Sequence, residues 1–348
     1  MFGKTIKIIL YIIIISFASL SEIINAEKNN KFKSVSKYQN QASIHWEKFS
    51  PKKNKIDIWK KINEEELYKI INSTNKNKDS QKIKFSSLNR SIVFNDNVVG
   101  PDIGWLVPPG LAWSKNHKFD ASIRGHSRRK TNESFLGWNN GDAVGQFYYN
   151  FFERDKSNLG LNIGMRSVYK GKTNTSNVGE GLSAGFRWDY QLSNRSGIAF
   201  GAEQLLHFDG MTDTGRDLYF SASKVIGIEG KEDPFPFYVI TGGIGTGKLA
   251  EGAIKGLCSD LLGGAGNNIG LQNRLCWAPI FSLSRVSNQK FSTFLEYNSH
   301  SLILGTSITP TKKIPLRGTF AVKLADEDNY ELNKFSEMTW VFRTSLGF

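Results

Sequence analysis

The chain is 348 residues long, with 33 glycines, 9 prolines, 12% aromatic residues and a formal charge of +13. A glycine-rich, aromatic-rich, proline-poor composition suits long strands and argues against a helical core. The positive charge does not point to nucleic acid. Residues 27–90 hold sixteen Lys/Arg against seven Asp/Glu, nine of the thirteen net charges, and the rest of the chain is close to balanced.

Residues 1–26 read as a secretory signal peptide, with Lys4 and Lys7 ahead of an apolar run over 8–17 and Ala26 at the cleavage position. No later stretch reaches the roughly 18 apolar residues a spanning helix needs, so a membrane role has to use strands. Residues 27–115 read as a basic, polar periplasmic arm. Positions 27–55 bury too little apolar surface to offset chain entropy. Ile58, Ile62, Leu67, Ile70 and Ile71 give 56–73 the spacing of one short amphipathic helix. Residues 91–115, with Pro101, Pro108, Pro109, Trp105 and Trp113, read as an extended lead-in that enters the following domain or plugs it.

From about residue 117 the pattern has period two. Over 181–193, Leu182, Ala184, Phe186, Trp188, Tyr190 and Leu192 share one face, and Ser183, Gly185, Arg187, Asp189 and Gln191 share the other. The same alternation gives twelve strands, near 117–126, 143–153, 159–169, 181–192, 196–207, 217–228, 236–246, 278–287, 290–298, 300–308, 316–324 and 337–348. Connections alternate between short and long, as in up-and-down barrels with short periplasmic turns and longer outer loops. The link near Asn298–Ser299 breaks that rule and leaves ten or fourteen strands as alternatives.

The chain ends SEMTWVFRTSLGF, with Met338, Trp340, Phe342, Leu346 and Phe348 on one face. This ending resembles the last strand of bacterial outer-membrane β-barrel proteins, a resemblance of class that names no specific family. It implies an all-β, antiparallel transmembrane barrel over 116–348 and contact with membrane lipid. It also implies Trp340, Phe342, Leu346 and Phe348 as a signal read by the barrel-assembly machinery.

By parity the lumen face carries Arg124, Arg166, Arg187, Arg285, Arg317, Lys323 and Arg343, against Asp120, Asp189, Glu203, Asp217 and Glu296. A polar interior with a slight basic excess suits a narrow channel for small polar or anionic solutes; a closed barrel with paired charges is the alternative. Cys258 and Cys276 fall in the longest outer loop and pair as one disulfide in an exported chain. The segment GGIGTGK over 242–248 nearly matches a phosphate-binding loop, but Leu249 replaces its metal-binding hydroxyl and no strand–loop–helix setting surrounds it. His126 with Ser127, and Glu203 with His207 and Asp209, are the places where a hydrolase site would sit, and neither has a family spacing. Asp209, Asp213 and Asp217 lack a calcium-loop pattern. The expectation is a monomeric, non-enzymatic outer-membrane channel with no cofactor or metal and no nucleic-acid partner. Two rival readings stay open: a lipid- or lipopolysaccharide-modifying enzyme, and a structural barrel whose arm binds peptidoglycan or an envelope protein.

Overall fold

Alternating residues make strands whose two faces differ, and a sheet of such strands is free of exposed edges only when it closes. The computed structural model describes residues 83–127, 142–169, 179–209, 216–228, 233–250, 257–259, 275–298, 301–311, 314–325 and 338–348. The signal segment, the rest of the arm and the helix expected at 56–73 lie outside these residues.

Three short strands come first: β1 (Phe85–Leu88), β2 (Ser91–Phe94) and β3 (Val98–Asp102), an antiparallel meander separate from the main sheet. The wall follows as β4 (Phe119–His126), β5 (Asp142–Glu153), β6 (Ser157–Tyr169), β7 (Leu182–Ser193), β8 (Ser196–His207), β9 (Leu218–Ile226) and β10 (Phe237–Gly245). After a 3-10 turn at Gly247–Ala250 come a short strand β11 (Leu257–Ser259), then β12 (Leu275–Asn288), β13 (Phe291–Asn298), β14 (Ser301–Ile308), β15 (Leu316–Ala325) and β16 (Thr339–Gly347).

Each wall strand pairs antiparallel with its neighbours, β10 pairs with β12, and β16 pairs back onto β4, so twelve strands close into a barrel. All twelve expected strands are present. At the irregular link near Asn298, Asn298 pairs with Ser301, and the link separates two genuine strands. At the seam the Phe348 amide donates to the Phe119 carbonyl at 2.8 Å, and the Phe348 carbonyl accepts from the Phe119 amide at 2.9 Å. This ties the last residue to the first wall strand.

The outward face is apolar. Ile123, Leu161, Phe220, Leu304, Phe320 and Phe342 are all exposed. A soluble protein would not leave so continuous an apolar belt around its whole circumference, whereas a barrel in a bilayer presents it to lipid.

The interior is occupied. Residues 83–114 lie inside the ring and contact inward-facing side chains of β7, β8, β9, β12, β13, β15 and β16. Trp105, Leu106 and Val107 join inward residues such as Ile280, Phe294, Ile303 and Val341 in one buried apolar cluster. Phe85, Ile92, Phe94, Ile103 and Leu111 join Val225, Phe237, Val239 and Val286 in another. The lead-in is therefore a plug that includes a small folded sheet, and the segment from residue 83 packs as one unit with the barrel beyond residue 115.

Candidate functional site: the plug and the lumen wall

Asparagine tolerates the left-handed backbone that tight turns require. Asn89 (φ 55°) sits between β1 and β2, and Asn95 (φ 50°) with Asp96 (φ 59°) sits between β2 and β3. These turns fold the plug into its meander. The Leu-Asn-Arg-Ser and Phe-Asn-Asp-Asn runs were the sequence signal for it, masked by the basic composition of the preceding arm.

Asp102, at the end of β3, is the plug's main anchor. Its Oδ1 lies 3.0 Å from Arg317 Nε on β15, and its Oδ2 lies 2.7 Å from Arg343 Nη2 on β16. Thr319 Oγ1 donates to the same carboxylate at 2.5 Å. Arg317 also pairs with Asp120 of β4, which in turn accepts from Asn89 Nδ2 at 2.9 Å. Burial opposes the Asp102 charge, but the Arg343 and Arg317 guanidiniums overcome it and hold the carboxyl below its ordinary range.

Glu296 on β13 grips the next stretch. Its Oε2 accepts from the Trp105 amide at 2.6 Å, and its Oε1 accepts from Leu106 and Val107 at 2.6 and 2.8 Å. One buried carboxylate thus satisfies three successive backbone donors that would otherwise be orphaned. Arg343 reinforces this stretch by donating to the carbonyls of Gly104 and Trp105, both at 2.7 Å. Its guanidinium lies 5.1 Å from the Trp105 ring centre.

Arg187 on β7 holds the far end, donating to the carbonyls of Pro109 (2.9 Å) and Leu111 (2.8 Å) while its Nε pairs with Asp189 at 3.1 Å. Asp189 accepts from the Trp113 amide at 3.0 Å. Glu203 on β8 pairs with Arg90 at the plug's first turn. Burial opposes the Arg90 charge, and the Glu203 carboxylate outweighs it, raising the guanidinium above its ordinary value. Gly110 approaches so closely that a Cβ there would lie 2.7 Å from the Ala222 Cα, and its amide donates to Ser223 Oγ at 2.7 Å.

Of the ten residues expected to line the lumen, Arg124, Arg187, Asp189, Glu203, Glu296, Arg317 and Arg343 are buried inside the wall. All but Arg124 are drawn into the contacts just described. Arg124 faces the lumen opposite Arg343 across the β4–β16 seam. Arg166 and Lys323 are half-buried. Arg285 is a correction: it is exposed on the outer face of β12, beside Leu283, while Ser282, Ser284 and Val286 point inward. Apolar residues occur on both faces of β12, because its inner face packs on the plug, so hydrophobicity could not fix which parity is lumenal. Without Arg285 the expected lumen cations fall from seven to six against five carboxylates, and among the described residues the fully buried wall charges are four arginines against Asp120, Asp189, Glu203, Asp217 and Glu296.

The hydrolase candidates are engaged separately. Ser127 Oγ accepts from the Trp340 amide at 2.9 Å, Glu203 binds Arg90, and Asp209 accepts from the Gly181 and Leu182 amides at the start of β7. The GGIGTGK segment is the end of β10 running into the 3-10 turn, where the Lys248 amide donates to Asp217 at 2.7 Å. No group of three metal-ligating side chains occurs among the described residues. Cys258 stands directly opposite Cys276 in the β11–β12 register.

A cavity of about 10 Å³, room for about one water, remains between plug and wall beside Trp113, Tyr148, Arg187 and Asp189. At the short-turn end a recess of about 490 Å³ opens between the plug tip (Ile83, Phe94, Asn95) and the turn residues Asp233, Pro234, Phe235 and Gln289.

No protein-family model matches the sequence. No curated protein matches it either. Among solved structures, the chain is similar to an outer membrane channel from Pseudomonas putida F1, at 11% identity and a TM-score of 0.38, over 67% of this chain and 95% of that one. It is also similar to the toluene transporter TbuX of Ralstonia pickettii, at 10% identity and a TM-score of 0.30, over 66% of this chain and 88% of that one. Likenesses this distant carry nothing about activity, and the closed twelve-stranded antiparallel barrel stands on its own pairing ladder.

Proposed function

We propose that the protein is an outer-membrane channel for small polar solutes, closed at rest by its own residues 83–114. The observation that carries this reading is how the plug is held. Its backbone is gripped by side chains of the wall (Glu296, Arg343, Arg187), and its Asp102 bridges two wall strands. Such contacts have exact alternatives in water, so a displaced plug and an emptied wall can both be solvated, and the wall would then present polar groups to a water-filled lumen. The recess beside Phe94 and Phe235 gives solute a place to collect at the plug's edge.

The finer expectation of anion preference has to rest on Arg124, Arg187, Arg317 and Arg343. With five carboxylates on the same wall, small polar solutes are the class carried forward, and the reversal potential under a salt gradient reads the sign of any preference. The reading also keeps the arm in the periplasm, Phe348 with its outward neighbours as the assembly signal, and a disulfide between the paired Cys258 and Cys276.

The test is current across a planar bilayer. Wild-type protein is expected to conduct in rare, brief openings, and Asp102→Asn to raise the open fraction severalfold. Absence of current in both, with both inserted and folded, overturns the reading. That outcome would favour a permanently closed structural barrel, for which the apolar packing of Trp105, Leu106 and Val107 is the supporting observation.

A further inference from the structure

The outer face of β9, β10 and β12 departs from the apolar belt at one place. Lys224 and Arg285 both face outward and are exposed, and between them Tyr238 is 40% exposed. The register makes the three contiguous. Arg285 is directly opposite Tyr238, and Lys224 is opposite Ile240, one same-face step along β10 from Tyr238. Directly opposed residues on a face are about 5 Å apart and diagonal ones about 7–8 Å, so Tyr238 touches the reach of both cations.

Their depth is fixed as well. Lys224 lies two positions from the end of β9 at Ile226, and Arg285 three from the end of β12 at Asn288, both at the short-turn rim. A lysine or arginine on the lipid face is costly at mid-bilayer and nearly free at the interface, where headgroups lie. Neither cation has a hydrogen bond or ion pair among the described residues. In sequence the short turns of this sector carry Arg195, Lys231 and Lys290 against Glu229, Glu232 and Asp233, so Lys224 and Arg285 supply its net positive charge. The neighbouring outward residues Phe220, Leu283 and Leu295 are apolar and exposed, a surface for acyl chains immediately above the cations.

We infer that Lys224, Tyr238 and Arg285 form a binding site for the phosphate of an anionic phospholipid in the leaflet at the short-turn end. This rests on the membrane reading above. The two cations supply the charge, and Tyr238 supplies an amphipathic ring whose hydroxyl sits at headgroup level. The same site gives Arg285 a role that its outward face otherwise lacks.

The experiment uses the full-length protein in neutral detergent, titrated with phosphatidylglycerol or phosphatidylcholine of identical acyl chains and read by native mass spectrometry. Phosphatidylglycerol is expected to be retained preferentially. Lys224→Gln and Arg285→Gln should each lower its retention about fivefold, the effect of one interfacial cation, with Arg285→Lys retaining most of it. The double variant should fall to the phosphatidylcholine level, and Lys156→Gln in a different turn should change nothing. Heat-modifiable gel mobility verifies folding, and if the double variant does not fold, the single variants and Arg285→Lys decide. Undiminished phosphatidylglycerol retention in folded variants overturns the site. Full displacement of the lipid by millimolar inorganic phosphate overturns the lipid assignment in favour of a free-anion site. Protein that will not insert into vesicles overturns the membrane reading itself, whereas inserted protein without lipid preference overturns only this site.

Discussion

Asp102 and Arg343 are 241 positions apart in the sequence, yet their side chains meet at 2.7 Å inside the barrel. The contact joins the plug to the strand that closes the seam. Arg317 completes the bridge on the neighbouring strand, so one plug carboxylate binds two wall strands at once.

Asp102→Asn removes the charge between two buried guanidiniums. Breaking a buried pair from one side costs about 3–5 kcal/mol, because the remaining charge is left uncompensated. The loss should fall on the plug, while the wall ladder stays intact. Hydrogen exchange should show amides of 85–113 losing protection while those of β6–β8 keep theirs; equal loss in both would show that the network stabilises the whole barrel.

Acid should loosen the plug by the same route. The folded Asp102 carboxyl titrates below its ordinary value, so its contribution to stability is fully present above the unfolded carboxylate range. That contribution is lost as pH falls through the range toward the lowered folded value. The part of plug protection that depends on Asp102, read as wild type minus Asp102→Asn, should therefore be constant from neutral pH to about pH 5 and shrink below about pH 4, the unfolded Asp value.

Glu296→Gln keeps the shape and removes the charge that three amides share. A glutamine offers one acceptor oxygen and turns an NH₂ toward backbone donors. Hydrogen bonds to a charged group contribute about 1.5–3 kcal/mol, so a loss of about that size is expected for the 104–107 stretch. Trp105 packs there under the Arg343 guanidinium, and its fluorescence should shift to longer wavelength as water enters.

Gly110→Ala tests how tightly the plug seats. The added methyl would lie 2.7 Å from the Ala222 Cα and the Ser223 nitrogen, atoms of the wall backbone that cannot turn aside. A strain of about 1–3 kcal/mol is expected, raising the open fraction in bilayer recordings without changing the strand content. An unchanged open fraction would mean that the plug moves independently of this contact.

Replacing Cys258 and Cys276 by serine should loosen the β11–β12 pairing. The enclosed segment is short enough that its closure contributes about 3 kcal/mol locally. Thiol alkylation of the unreduced wild-type protein should find no free thiol, and reduction should expose two; labelling before reduction would rule out the bond.

The sequence by itself determined the wall. Alternation is a local property, repeated residue by residue, so all twelve strands could be read without knowing any partner. The outward face of the last strand, with Trp340, Phe342, Leu346 and Phe348, could be read the same way. The parity of the buried charges Arg124, Arg187, Asp189, Glu203, Glu296, Arg317 and Arg343 was legible as well, since a charge on one face of such a strand needs an interior. Only the tertiary structure decided what fills that interior. The plug's contacts, such as Asp102 with Arg317 and Glu296 with Val107, join segments about two hundred positions apart and leave no periodic trace. For the same reason Arg285 was placed on the wrong face. Where a wall strand packs against a plug on one side and lipid on the other, both faces are apolar, and a one-residue choice of parity sends every side chain to the opposite side.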